Sequence, residues 1–319
     1  MIIVTGAFGF IGSHLVERLL DSGEEVVALG TAPPKEDNLQ VLLRHPKASK
    51  MRVVRADVTS LDVVRTVMRG AEPTVVYHLA AIASHRLSRG DPYLYLHNNY
   101  NSVLAVLEAV RQTEPTPKVV FASSSSVYGD NEPPLREEMT PRPKGPYAFS
   151  KLLGEQLCVH YHNEYGLECP IVRYFNVVGE RCRGNIVFRV FAERIVRGEP
   201  IEVYGRTVDG VFRPAERDFT YVSDAIEGTM LVGERGEGCE VFNIGAGRSV
   251  SVLRVAELMM ERLSKRVEVV FKELQPHETL VSYSSNAKAR ERLGWSPKVE
   301  LEEMVERYAR WFVEQTLRT

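Results

Sequence analysis

Two residues four apart, Tyr147 and Lys151 in PYAFSK, carry the clearest chemistry in the chain. On a helix, positions i and i+4 share a face, which would set an ammonium beside a phenol. A free tyrosine titrates near pH 10 and is a poor base at neutral pH, but a neighbouring cation favours its phenolate. Such a phenolate can abstract a hydroxyl proton. Upstream, FASSSSVYGD sets four serines, Ser123 to Ser126, directly after the apolar run VVFA. Ser123 is expected to end a buried strand, and Ser124 to project from its carboxyl edge toward Tyr147, sharing a hydrogen bond with tyrosine and substrate. Ser125 and Ser126 are expected to cap the turn that follows.

A second constellation opens the chain, IIVTGAFGFIG, with Gly6, Gly9 and Gly12 between a strand-like run and the helical SHLVERLL. Glycines there permit the tight turn and the close approach of backbone to a pyrophosphate, whose charge the helix N-terminus favours. Dinucleotide binding is therefore expected, and a positively charged nicotinamide would further favour the Tyr147 phenolate. An NAD site normally has an acidic residue at the end of the second strand, for the ribose hydroxyls. This chain has Gly30 and Thr31 there, although Glu36 or Asp37 could fold back and Lys35 could meet a phosphate. No arginine follows that strand until Arg44, so NAD is expected, with NADP left open. Asp57, in VRADVT, suits either the adenine amino group or a helix N-cap.

The elements that must position these groups alternate: MIIVTG, IGSHLVERLLDSG, EVVALG, MRVVRAD, LDVVRTVMRG, VVYHLA, NNYNSVLAVLEAVRQ, KVVFASS, YAFSKLLGEQLCVHYHNEYG and ECPIVRYFNVVG. Strand and helix repeated in this way describe a parallel sheet covered on both faces, with ligands beyond the carboxyl ends of the strands. The expected class is α/β, a Rossmann-type doubly wound sheet with a smaller, interleaved C-terminal substrate lobe. Residues 1–178 form the expected NAD(P)-binding domain, with some return of 219–250, and 179–319 the substrate lobe. The 319 residues are 44% hydrophobic and 26% charged, with a net charge of −2, which gives no basic footprint for nucleic acid or anionic membranes. Met1 leads straight into IIVTG without a signal-like region, and no apolar run approaches the roughly 18 residues of a span, so a cytoplasmic location is expected. Cys158, Cys169, Cys182 and Cys239 lack metal spacing and read as reduced, packed thiols.

In order, TGAFGFIG, Asp57, YHLAA from Tyr77 to Ala81, NNYNS around Asn99, SSSSVYG, PYAFSK, RYFNVVG, RDFTYVSD, FNIGAG and LGWSP resemble the motifs of a known family over nearly the whole chain. It is the extended short-chain dehydrogenase/reductases that act on nucleotide sugars, NAD-dependent epimerases and dehydratases, and most closely its UDP-glucose 4-epimerases. The resemblance implies a catalytic triad of Ser124, Tyr147 and Lys151. It implies cofactor contacts from Gly6, Gly9, Phe10, Ile11, Gly12, Asp57, Val58, Leu79, Ala80, Ala81, Asn99 and Tyr174, besides Tyr147 and Lys151, and no metal. It places Asn176 and Arg217 on the sugar diphosphate with Ser124 and Tyr147 at the sugar; otherwise Asn176 is a turn former and Arg217 a surface partner of Asp218. Two departures stand out: Gln275, Pro276, His277 and Glu278 replace a frequent RPGD, and the stretch from Gly205 to Glu216 is long.

The family's shared first step removes a sugar hydroxyl proton, usually at O4, as hydride leaves that carbon. Dehydratases then use an acidic pair directly after the catalytic Ser/Thr, and here those positions are Ser125 and Ser126, which supply no acid or base at neutral pH. The expected reaction is accordingly interconversion of UDP-glucose and UDP-galactose by a tightly bound nicotinamide cofactor. Another nucleotide-sugar dehydratase or reductase is the alternative, and an idle NAD(P)-binding regulator the last. Relatives pair through two helices per subunit, and the apolar residues of NSVLAVLEAVRQ and SKLLGEQLCVHYH point to a homodimer unless both stripes are internal core.

Overall fold

The computed structural model of the chain describes residues 1–31, 37–84, 86–275 and 278–317. The amino-terminal half runs β1 (Ile2–Thr5), α1 (Phe10–Asp21), β2 (Val26–Gly30), α2 (Leu39–Leu43), β3 (Met51–Arg55), α3 (Leu61–Arg69), β4 (Val75–His78), α4 (Pro92–Val110), β5 (Lys118–Ser124), α5 (Pro146–Tyr165) and β6 (Ile171–Tyr174). There follow β7 (Asn176–Val178), α6 (Val187–Arg197), β8 (Ile201–Val208), β9 (Val211–Pro214), β10 (Glu216–Arg217), β11 (Phe219–Tyr221), α7 (Val222–Arg235) and β12 (Val241–Ile244). The chain ends with β13 (Val250–Ser251), α8 (Val252–Arg262), β14 (Val269–Glu273), β15 (Val281–Ser282), α9 (Ala287–Leu293) and α10 (Leu301–Thr316).

Seven strands make one parallel sheet in the order β12-β6-β5-β4-β1-β2-β3. Its central strands are rich in β-branched residues and almost wholly buried, as strands covered by helices on both faces must be. The order reverses on either side of β1, so the carboxyl ends of β1 and β4 flank a crevice open to a ligand.

Local sequence sets the helices that reach this edge. Asp91 caps α4, its carboxylate accepting the Leu94 N–H at 3.0 Å, with Pro92 in the first turn. Pro146 likewise starts α5, and Gly166 ends it in a left-handed conformation. The long Gly205–Glu216 stretch is an antiparallel hairpin of β8 and β9, turned by Asp209 and Gly210 at φ +52° and +76°, the signs a type I′ turn requires. It joins β14 in a sheet of its own, while β10 lies between β13 and β15. The four cysteines are free thiols, three of them buried. Among the described residues no helix is long and apolar enough to cross a membrane, and no cluster of three metal-ligating side chains occurs.

Candidate active site

At the first turn of the sheet, Gly6 adopts φ +67°, and a Cβ there would lie 2.8 Å from the Ala80 backbone nitrogen. A Cβ on Gly12 would lie 2.1 Å from the Gly6 carbonyl oxygen. Only glycine lets α1 start this close to β1, and α1 has no acidic residue in its first turn to repel a phosphate. Phe10 is buried and Ile11 half-buried where α1 begins, and Val58 is buried after β3. Thr5 ties this turn to the next strand: its hydroxyl accepts the Ala80 N–H at 3.2 Å and meets His78 Nδ1 at 2.8 Å. Leu79, Ala80 and Ala81 thus lie beside the glycine turn.

Asn99, on α4, is expected on the cofactor, yet its side chain is occupied by protein groups. It accepts the Ile82 N–H at 2.8 Å and donates to the Ile82 carbonyl at 3.0 Å and to Ser150 at 2.9 Å. It fixes the loop after β4 against α5. Tyr174 similarly shares its hydroxyl with Thr229 at 2.5 Å in the core. Asp57 accepts the Thr59 N–H at 2.9 Å, two residues on, while Ser60 holds the cap position of α3, so the N-cap alternative does not describe it.

The four serines separate into distinct tasks. Ser123 turns inward and donates to Glu155 at 2.5 Å, and Glu155 is held by Arg173 in a buried, two-bond ion pair at 2.9 and 2.7 Å. Ser124, the last residue of β5, lies within hydrogen-bonding reach of the Tyr147 phenol. It also caps the short 3-10 turn Ser125–Tyr128, accepting from the Ser126 N–H at 3.2 Å and the Ser126 hydroxyl at 2.9 Å. The capping expected of Ser125 and Ser126 therefore falls to Ser124, because the strand ends one residue later than Ser123.

Tyr147 and Lys151 do share the cleft side of α5, but the ammonium acts differently from expectation. Lys151 is buried and donates to the Ala122 carbonyl at 2.7 Å, and desolvation, aided by Arg183, lowers its pKa to about 8. Burial pushes the Tyr147 phenol up; Arg183 and the Ser124 hydrogen bond oppose this. Arg183, from the loop after β7, thus favours the phenolate by its charge, and it also donates to the Ala83 carbonyl. Sequence reading missed Arg183, whose only signal is the run ERCRG after RYFNVVG.

At the other end of the cleft Asn176 begins β7, exposed, its amide donating to the Asp218 carbonyl at 3.3 Å; it is a strand residue, not a turn former. Arg217 donates to the carbonyls of Glu216 and Leu280 at 2.8 and 3.0 Å, and burial lowers its pKa. Asp218 is not its partner. That carboxylate is fully buried and accepts from Ala246, Gly247 and Ser284, which fastens β10 to the loops after β12 and β15. Of the segment replacing RPGD, Pro276 and His277 lie outside the described residues, as do Lys35 and Glu36. Glu278 pairs with Arg86 at 3.3 Å.

Residues 2–245 match the NAD dependent epimerase/dehydratase family. The chain belongs to that family. NAD is accordingly its cofactor, and the glycine turn fits that group, since a Cβ at Gly6 or Gly12 would close it. The chain is similar to the UDP-glucuronate 4-epimerase of Thermodesulfobacterium geofontis, 30% identical over 97% of this chain and 95% of the relative. Among solved structures it is similar to the UDP-glucose 4-epimerase of Thermus thermophilus complexed with NAD, at 33% identity, TM-score 0.84 and 98% of each chain. It is also similar to the Bacillus cereus UDP-glucuronic acid 4-epimerase complexed with UDP-glucuronic acid and NAD, at 32% identity and TM-score 0.89, over 98% of this chain and 99% of that one.

Proposed function

We propose that this chain is a UDP-hexose 4-epimerase whose preferred pair is UDP-glucuronate and UDP-galacturonate. The pair expected from the sequence, UDP-glucose and UDP-galactose, is the second reading. Arg183 supports the choice: it donates to the Ala83 carbonyl in the loop after β4, and its charge acts on both Tyr147 and Lys151, which puts it near the proposed proton acceptor. A C6 carboxylate there would gain charge-assisted hydrogen bonds from the guanidinium and from the serine hydroxyls of the 124–126 turn. A C6 hydroxymethyl group offers a single neutral oxygen and forms no ion pair with the guanidinium. Relatives named for UDP-glucuronate and for UDP-glucose both occur, so the fold alone leaves the sugar open.

In this reading Tyr147 accepts the O4 proton, with Ser124 bonded to both oxygens, and returns it after the sugar has presented its other face. Lys151 holds a positive charge at the end of β5, and Arg183 offsets the cost of a buried phenolate. NAD, when bound, supplies a reversible hydride acceptor for C4. Asn176 and Arg217 hold the diphosphate end. The division of labour follows the sequence reading, residues 1–178 with the return of 219–250 for the dinucleotide and 179–319 for the sugar nucleotide; β12 in the central sheet supports it. We also infer a homodimer through α4 and α5, supported by exposed Tyr93, Leu94, Phe149 and Val159.

The test incubates purified protein, without added cofactor, with UDP-glucuronate or UDP-glucose and follows the 4-epimers by NMR. The expected kcat/KM is at least about 10-fold higher for the glucuronate, the size of one charge-assisted contact. The reverse preference would establish the second reading. Accumulation of a 4-keto-6-deoxy product would overturn epimerisation altogether.

A further inference from the structure

The end of β2 lacks the carboxylate that normally reads the adenosine ribose, and the backbone shows why none is present. Gly30 sits at φ +141°, and a Cβ on it would lie 3.1 Å from the Gly6 nitrogen, against the turn that must stay open for a pyrophosphate. A carboxylate reaches the same place by another route. Asn38 donates both its backbone N–H, at 3.0 Å, and its side-chain amide, at 3.1 Å, to the carbonyl of Phe8 in the glycine turn. This pins Asp37 beside the turn, where its carboxylate accepts the Leu39 N–H at 2.9 Å and pairs with Arg55. Arg55 is the last residue of β3 and the register partner of Gly30, and its guanidinium lies 5.4 Å over the Phe8 ring. An acid and a base therefore stand together at the carboxyl edge of β2 and β3, and neither is the residue that the strand-end rule looks for.

We propose that the Asp37–Arg55 pair is the specificity determinant for the 2′ position of the cofactor's adenosine ribose. Asp37 accepts a ribose hydroxyl and repels a 2′-phosphate, while its pairing with Arg55 fixes the carboxylate and occupies the guanidinium. Arg55 carries the planar donor fork that suits a phosphate, so the site is a latent NADP site held shut by one negative charge. This rests on the family's use of NAD and goes beyond it, since it names which residues exclude the phosphorylated form.

The test equilibrates purified protein with an equal, saturating mixture of NAD and NADP, removes free dinucleotide by gel filtration, and quantifies what denaturation releases. Wild type is expected to carry mainly NAD. Asp37→Asn keeps the shape and the acceptor for the Leu39 N–H, and should raise the ratio of NADP to NAD by at least about 10-fold, since the repelling charge is gone and Arg55 is free. Adding Arg55→Gln to that variant should return the ratio to near its wild-type value. A ratio within about 2-fold of wild type in Asp37→Asn, or a double variant as rich in NADP as the single one, overturns the proposal. Wild type that carries neither dinucleotide would instead overturn the cofactor assignment and this inference with it.

Discussion

Tyr147 keeps its proton more firmly in this structure than a free phenol does, because burial disfavours the charged form, and only Arg183 and Ser124 act against that. Removing the phenol oxygen should therefore abolish proton transfer while leaving the half-buried ring in place. Tyr147→Phe is expected to lower kcat at least about 100-fold with an unchanged circular dichroism spectrum, and near wild-type turnover would remove Tyr147 from the mechanism. Tyr147, Lys151 and Ser124 were legible because their spacing and their place after an apolar run define a helix face and a strand end. Arg183 was not, since no spacing relation connects the loop after β7 with α5; only folding brings them together.

Among the elements, β1, β4 and α4 meet at His78, which is 1% exposed, bonded to Thr5, stacked on Phe121 at 6.0 Å and 3.5 Å from the Ser102 hydroxyl. Burial first, and Lys151 second, lower its pKa to about 3 from 6.5. A base whose folded pKa is depressed is neutral in the native state while the unfolded chain takes up a proton. Its contribution is fully present above about pH 6.5 and is lost as pH falls from there toward about 3. Between about pH 6 and 5 this costs about 1 kcal/mol per pH unit. Urea unfolding at these two pH values should show that loss in the wild type and a slope shallower by about that amount in His78→Asn. Equal slopes would mean that His78 does not titrate on unfolding. The strand VVYH was evident from its β-branched run, but the histidine closing it gave no sign of being a junction, because its partners come from residues 5 and 102 of the sequence.

At the scale of the whole molecule, the stripes thought to mark a subunit interface turn out to be divided. Val103, Val106, Leu107 and Val110 of α4 and Cys158 and Tyr161 of α5 are buried within one chain, so that portion is internal core. Of those stripes only Val159 is an exposed apolar residue; Tyr93 at 76% and Phe149 at 46% exposure, with Leu94, stand outward on the same two helices beyond the stripes. Sedimentation equilibrium is expected to give twice the 36.0 kDa of one chain, and Val159→Glu to shift the distribution toward the monomer. A wild-type species at 36.0 kDa would dismiss the dimer. Amphipathic spacing alone could not decide this, because a helix packed on a sheet and another helix buries more than one stripe.

The sequence by itself determined the alternation of strands and helices, the glycine turn and the helix face that carries Tyr147 and Lys151, since each depends on contacts within about a dozen residues or on a backbone shape only glycine allows. It did not determine which cation stands by Tyr147, that Asp218 anchors the loops after β12 and β15 rather than pairing with Arg217, or that Asp37 meets Arg55 beside Gly30. Those pairings join groups between 18 and 66 residues apart, and which of many acids and bases meet is settled only when the sheet brings strand ends and loops to one edge.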